Sequence, residues 1–153
     1  MNRRTLIPTL AALLLVGTVA TIAAQEEDAA GPPGFKVVVH AENPLDEVER
    51  RTLERIFLKK IKTWEDGTSC QPVDREVDTA LREAFSEEVV DKSVSAVKSY
   101  WQRMIFSGKD APPPELASDE QVLAYVAERR GGVGYVSDDA ELPTGVKTID
   151  VVD

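Results

Sequence analysis

The chain holds one histidine, His40, and one cysteine, Cys70. A Cys–His pair is the simplest nucleophile-and-base arrangement these two could form. His40 closes a β-branched run, Phe35-Lys36-Val37-Val38-Val39-His40, and Cys70 follows a turn. Neither has a local neighbour that would activate it, so packing and loop roles account for both. No His/Cys grouping has the spacing of zinc ligands. The acidic runs Glu26-Glu27-Asp28, Glu87-Glu88 and Asp138-Asp139 lack the alternating oxygen ligands and central glycine of a calcium loop. They are expected to be solvated faces. An enzyme is therefore not expected, and neither is a metal or cofactor.

Two further stretches could touch an anion. Gly131-Gly132-Val133-Gly134 is glycine-rich, but it follows a helical pattern and precedes a strand. Phosphate loops do the reverse, leaving a strand and opening a helix, so this stretch is expected to be a C-cap and strand entry. Arg129-Arg130 just before it fits compensation of the helix dipole. The second candidate is the helix start near Thr79, where free backbone N–H groups point outward. Its approach, Asp74-Arg75-Glu76-Val77-Asp78, sets three carboxylates around one guanidinium. By composition alone that is a capped helix start. The aromatic set Trp64, Tyr100, Trp101 and Phe106 is expected in the core.

The elements that would position these residues centre on Leu53 to Gly67. Leu53, Ile56, Phe57 and Ile61 share one face of a helix predicted over Val48 to about Lys60, and Trp64 plugs the turn Glu65-Asp66-Gly67. Phe35 to His40 is predicted as a buried parallel strand because its apolar residues are consecutive. Cys70 to Val73 reads as a short strand. A second helix, Thr79 to Val90, carries Leu81, Ala84, Phe85 and Val89. A third, Ser93 to Phe106, is N-capped by Ser93 and aligns Val94, Val97, Trp101, Met104 and Ile105. Pro112-Pro113-Pro114 stiffens the next connection. Ser118 and Gln121 form a capping box for a fourth helix packed through Val122, Leu123 and Val126. Val133 to Val136 and Val146 to Val152 complete the strands. Strands and helices alternate, so the fold class is α/β.

The N-terminus has the form of a secretory signal peptide over residues 1–24: Arg3-Arg4, an apolar run from Leu10 to Ile22, then Ala23-Ala24. A membrane anchor is the competing reading of the run from Leu6 to Ala24. Gln25 to Gly34 is acidic and then Pro/Gly-rich, as in a disordered lead-in. Without residues 1–24 the chain has 129 residues, with 16 basic against 27 acidic side chains and a net charge of −11. That length suits one domain over residues 35–153. So acidic a surface excludes nucleic acid and anionic lipid as partners. A single cysteine excludes an internal disulfide.

Ile56-Phe57-Leu58, Trp64-Glu65-Asp66-Gly67, Tyr100 to Gly108 (YWQRMIFSG) and Val133-Gly134-Tyr135-Val136, in that order, resemble the short PstS-like periplasmic phosphate-binding proteins. The likeness runs from about Val37 to Val152. It implies a single lobe of a type II periplasmic-binding-protein-like fold, a small mixed or parallel sheet flanked by about four helices. It further implies a periplasmic or secreted solute-binding protein, phosphate or another small oxyanion as ligand, and an ABC permease as partner. Placing Phe85 on the family's phenylalanine puts Arg75 on its anion-binding arginine. Thr79-Ala80-Leu81 then stands where the family has Ser-Gly-Thr. Ala80 replaces a glycine that permits close backbone approach, and Leu81 removes a donor. Lys59 stands where relatives often carry glycine. The resemblance thus assigns a degraded anion loop to Arg75, Thr79 and Ala80. An envelope protein-interaction module that kept the fold and lost the ligand is the alternative.

Overall fold

The structure, a computed structural model, describes residues 32–153. The signal peptide and most of the lead-in lie outside the described residues.

Strand β1 (Phe35–His40) is followed by a short β2 (Glu47–Glu49) and helix α1 (Arg50–Phe57). Next come β3 (Gln71–Pro72), β4 (Asp74–Arg75), α2 (Ala80–Glu88) and α3 (Val94–Phe106). The chain ends with β5 (Glu115–Leu116), α4 (Asp119–Ala127), β6 (Gly132–Ser137), β7 (Val146–Thr148) and β8 (Asp150–Val152). A four-stranded mixed sheet in the order β3-β6-β1-β7 lies at the centre. Parallel ribbons β2-β8 and β4-β5 flank it.

The expectation that β1 is parallel is corrected: it runs antiparallel to both β6 and β7. Its unbroken apolar run has another cause. Val37 and Val39 face a core formed with α1, α2 and α3, while Val38 faces a second core formed with α4. A strand buried on both faces needs apolar residues at every position, whichever way its neighbours run. The sheet is thus sandwiched between three helices and one, each fully buried Val or Leu contributing about 1.5–3 kcal/mol.

Helix α1 is shorter than Val48 to Lys60 because Val48 pairs in β2, in register with Val151. Leu53, Ile56 and Phe57 are buried as expected. Ile61, past the helix, is half-buried, and Trp64 is buried with its Nε1–H donating to the Gly131 carbonyl at 3.2 Å. Lys59 closes the helix at φ +52°. Its N–H donates to the Ile56 carbonyl, and the Lys60 N–H donates to that of Arg55. This left-handed closure is where glycine is favoured, since a side chain costs about 1–2 kcal/mol there. Lys59→Gly is therefore expected to stabilise the fold by about 1 kcal/mol, read as a raised midpoint in urea unfolding. Its ion pair with Asp110, at 3.7 Å, and the approach of its ammonium to the Trp101 ring, at 6.0 Å, are given up.

Thr79, Ser93 and Ser118 cap the next three helices, each side-chain oxygen accepting a backbone N–H three residues on. At Ser118 the reciprocal half of the box lands one residue early: Gln121 Oε1 accepts the Ala117 N–H at 2.9 Å. The stripes on α2 and α4 are buried as expected. On α3 only Val97 and Trp101 are buried. Ile105 and Phe106, expected inside, are 55% and 91% exposed. Helix α3 packs mainly on α2, and of its last turn only Met104 is half-buried. The expected final strand divides at Ile149, which turns into the core between β7 and β8. No helix among the described residues is long and apolar enough to cross a membrane.

Candidate functional site

Arg75 sits on β4, which the parallel pairing with β5 holds against the start of α4. It was expected in a loop; the strand now fixes its backbone. Its side chain is nearly buried. None of the three carboxylates adjacent in sequence holds it. One guanidinium nitrogen is ion-paired to Asp119, the first residue of α4, and another donates to the Ala117 carbonyl at 3.1 Å. The second oxygen of Asp119 accepts the Ser137 N–H at 3.2 Å. Asp119 thus ties β4, α4 and the end of β6 together.

Thr79 opens α2 with extended backbone. Its hydroxyl accepts the Arg82 N–H at 3.2 Å and donates to the Glu76 carbonyl at 3.0 Å, so both hydroxyl functions are engaged. Ala80 follows and is exposed. The N–H groups of Ala80 and Leu81 lie in the first turn, where no carbonyl of the helix can reach them.

The residue that sequence reasoning missed is Arg82, only 4% exposed. It is ion-paired to Asp74, and its guanidinium donates to the Arg75 carbonyl at 3.2 Å. Because its own N–H bonds Thr79, Arg82 links the two residues expected at the site. Asp74 is buried, and one of its oxygens also accepts the Tyr135 hydroxyl at 2.5 Å and the Arg75 N–H at 2.9 Å. Burial pushes the Asp74 carboxyl upward, against the opposing pull of Arg82 and Tyr135. Burial and the Asp74 charge push the Tyr135 phenol far above its ordinary range, so it stays a neutral donor. The Nε atoms of Arg75 and Arg82 are buried without a partner among the described residues. Arg82 sits beside Leu81 and three residues before Phe85, inside the apolar stripe. That position is its one sequence signal, and its partner lies across a strand-to-helix corner with no fixed spacing.

Two guanidinium groups and two carboxylates leave this cluster electrically balanced. An anion reaching Arg75 must displace Asp119, and one approaching Ala80 meets Asp78 and Glu83, which line the groove beside α2. Acid–base chemistry has no support at the other candidates. His40 accepts the Glu42 N–H through Nδ1 at 3.1 Å. Burial pushes the Cys70 thiol up to about 12, away from the reactive thiolate. The C-cap expected at Gly131-Gly132 falls at Glu128 instead, while Gly131 serves the expected tight strand entry, since a Cβ there would stand 1.7 Å from the Ser69 carbonyl oxygen. No group of carboxylate, histidine and cysteine side chains suited to a metal occurs among the described residues.

The family model described as PBP superfamily domain matches residues 19–151. No curated protein sequence matches the chain. Among solved structures, the chain is similar to an ABC-type phosphate transport receptor from Vibrio cholerae, at 22% identity and a TM-score of 0.60. The match covers 78% of this chain and 46% of that one. It is also similar to PstS from Borrelia burgdorferi, at 10% identity and a TM-score of 0.60, over 78% of this chain and 47% of that one. The chain thus spans about half the length of the structures it matches, and at these identities the likeness shows the fold. With the family model spanning most of the chain and the same architecture recurring in these structures, the chain belongs to the PBP superfamily domain family, as a PstS-like α/β lobe.

Proposed function

We propose that this protein is a non-enzymatic, exported solute-binding lobe whose candidate oxyanion site is Arg75 with the α2 start at Thr79 and Ala80. Phosphate is the reference ligand, and an ABC permease is the partner this role implies. The observation that carries the reading is a nearly buried guanidinium, that of Arg75, beside a capped helix start within a fold shared with phosphate receptors. Asp119 occupies Arg75 and makes the site weak: its carboxylate is already the anion that the guanidinium holds.

Calorimetric titration at low salt tests this. Phosphate is expected to bind with Kd on the order of millimolar. Asp119→Asn, which keeps the side-chain shape and removes the competing charge, is expected to tighten binding about tenfold. Arg75→Ala should abolish the heat while near-UV circular dichroism confirms folding. Equal affinity in Asp119→Asn and the parent would overturn the competition. Undiminished binding in Arg75→Ala would overturn the site.

A further inference from the structure

A second cavity lies away from the α2 start, where β2 meets α1 and the Trp64 turn. Its volume is about 530 Å³, within the size range of small-molecule sites. The floor is apolar, with Ile61, Trp64 and Val152 among its residues, and Val152 is one of the few large apolar side chains left exposed. The rim carries Glu47, Glu49 and Glu65, and neither lysine nor arginine lines the cavity. None of the three carboxylates has an ion-pair partner among the described residues.

The rim is not an accident of one flexible loop. Glu47 and Glu49 alternate with the buried Val48 along β2, so both project from the same face of the β2-β8 ribbon. Glu47 stands in register with Asp150 and Glu49 with Val152. Glu47, Glu49 and Asp150 thus give this face of the parallel ribbon an acidic surface beside an apolar hollow. Glu65 adds a third carboxylate from a separate segment, after Trp64. Trp64 itself is anchored through its bond to Gly131, which keeps that wall in place.

We propose that this cavity binds an organic cation with an apolar body: an ammonium or guanidinium head held by the Glu47, Glu49 and Glu65 carboxylates, with its hydrocarbon or aromatic frame on the apolar floor. Charge complementarity selects the occupant. An apolar floor alone would accept a neutral ligand equally well, whereas an uncompensated triple-carboxylate rim penalises anions and attracts cations.

The test titrates the full chain with phenethylammonium, the isosteric neutral 2-phenylethanol and the anion 3-phenylpropionate, following amide shifts by NMR. The ammonium is expected to saturate, moving the amides of Glu47 to Thr52 and Ile61 to Glu65. The alcohol should bind about tenfold more weakly and the carboxylate not at all. The exposed-site variant Glu47→Gln/Glu49→Gln/Glu65→Gln should lose about tenfold for the ammonium and leave the alcohol unchanged. Added salt should weaken the ammonium alone. Equal affinities for ammonium and alcohol would overturn the proposal. So would an unchanged ammonium affinity in the triple variant, shifts confined to other segments, or binding of a lysine-containing peptide without binding of the amine.

Discussion

Arg82→Met is expected to destabilise the protein by about 3–5 kcal/mol, the range for breaking a buried ion pair by removing one partner. Methionine reproduces the arginine side chain out to the position of Nε, so the loss comes mainly from the missing guanidinium charge and its hydrogen bonds. Asp74 would be left buried with only the Tyr135 hydroxyl and the Arg75 N–H as partners. Removing both members separates the terms: Asp74→Asn/Arg82→Met should recover most of the loss, because no uncompensated charge remains. The pH dependence follows from the direction of the Asp74 shift. Burial raises the folded-state value, and Arg82 is the largest opposing influence, so the variant raises it further. A carboxyl raised in the folded state contributes stability below its unfolded value and loses it as pH climbs through the folded value. The Arg82→Met deficit should therefore shrink in acid and be full at neutral pH, measured as urea midpoints across pH. A deficit that is flat with pH, or a double variant no better than the single one, would refute this role for Arg82. Because the Arg82 guanidinium donates to the Arg75 carbonyl, the double variant should also lose phosphate affinity.

Phe85→Ala is expected to cost about 3–5 kcal/mol, as large-to-small changes at buried aromatic positions do. Phe85 is 1% exposed and lies at the centre of an aromatic cluster. Its ring stacks on Tyr135 with centroids 3.8 Å apart and planes 4° apart. Phe57 lies at 4.7 Å and Phe35 meets its edge at 5.5 Å. Truncation removes the surface that locates the Tyr135 ring, whose hydroxyl holds Asp74, so damage should spread from core to candidate site. Phe85→Leu, which refills part of the volume, should cost less than half as much. Thermal or urea unfolding measures the stabilities. Amide shifts at Asp74 and Arg75 show whether the change propagates. Unperturbed shifts there in Phe85→Ala would separate the core from the site.

Much of the architecture was legible locally. Ser93, Ser118 and Thr79 announced helix starts because capping needs only a side chain and an N–H three residues away. The stripes Leu81-Ala84-Phe85-Val89 and Val122-Leu123-Val126 followed helix geometry alone. The α/β class came from alternating patterns. The motifs Trp64 to Gly67 and Tyr100 to Gly108 carried the family resemblance that the family model supports. Among the candidate residues, Thr79 was placed correctly at the α2 start for the same local reason.

What only the tertiary structure decided concerns partners far apart in the chain. β1 reads the same whether its neighbours run parallel or antiparallel, because burial on both faces erases the alternation that would tell them apart. Val48 went to a strand rather than a helix because Val151, more than a hundred residues away, pairs with it. Ile105 and Phe106 have an apolar pattern, but α3 packs mainly on α2 and its last turn leaves them in solvent. Sequence put Glu76 and Asp78 next to Arg75, while the fold gave Arg75 to Asp119 and Asp74 to Arg82. Hydrogen-bonding type and helical period are properties of a few consecutive residues. Which carboxylate neutralises which guanidinium depends on where a strand end, a helix start and a buried tyrosine come to lie.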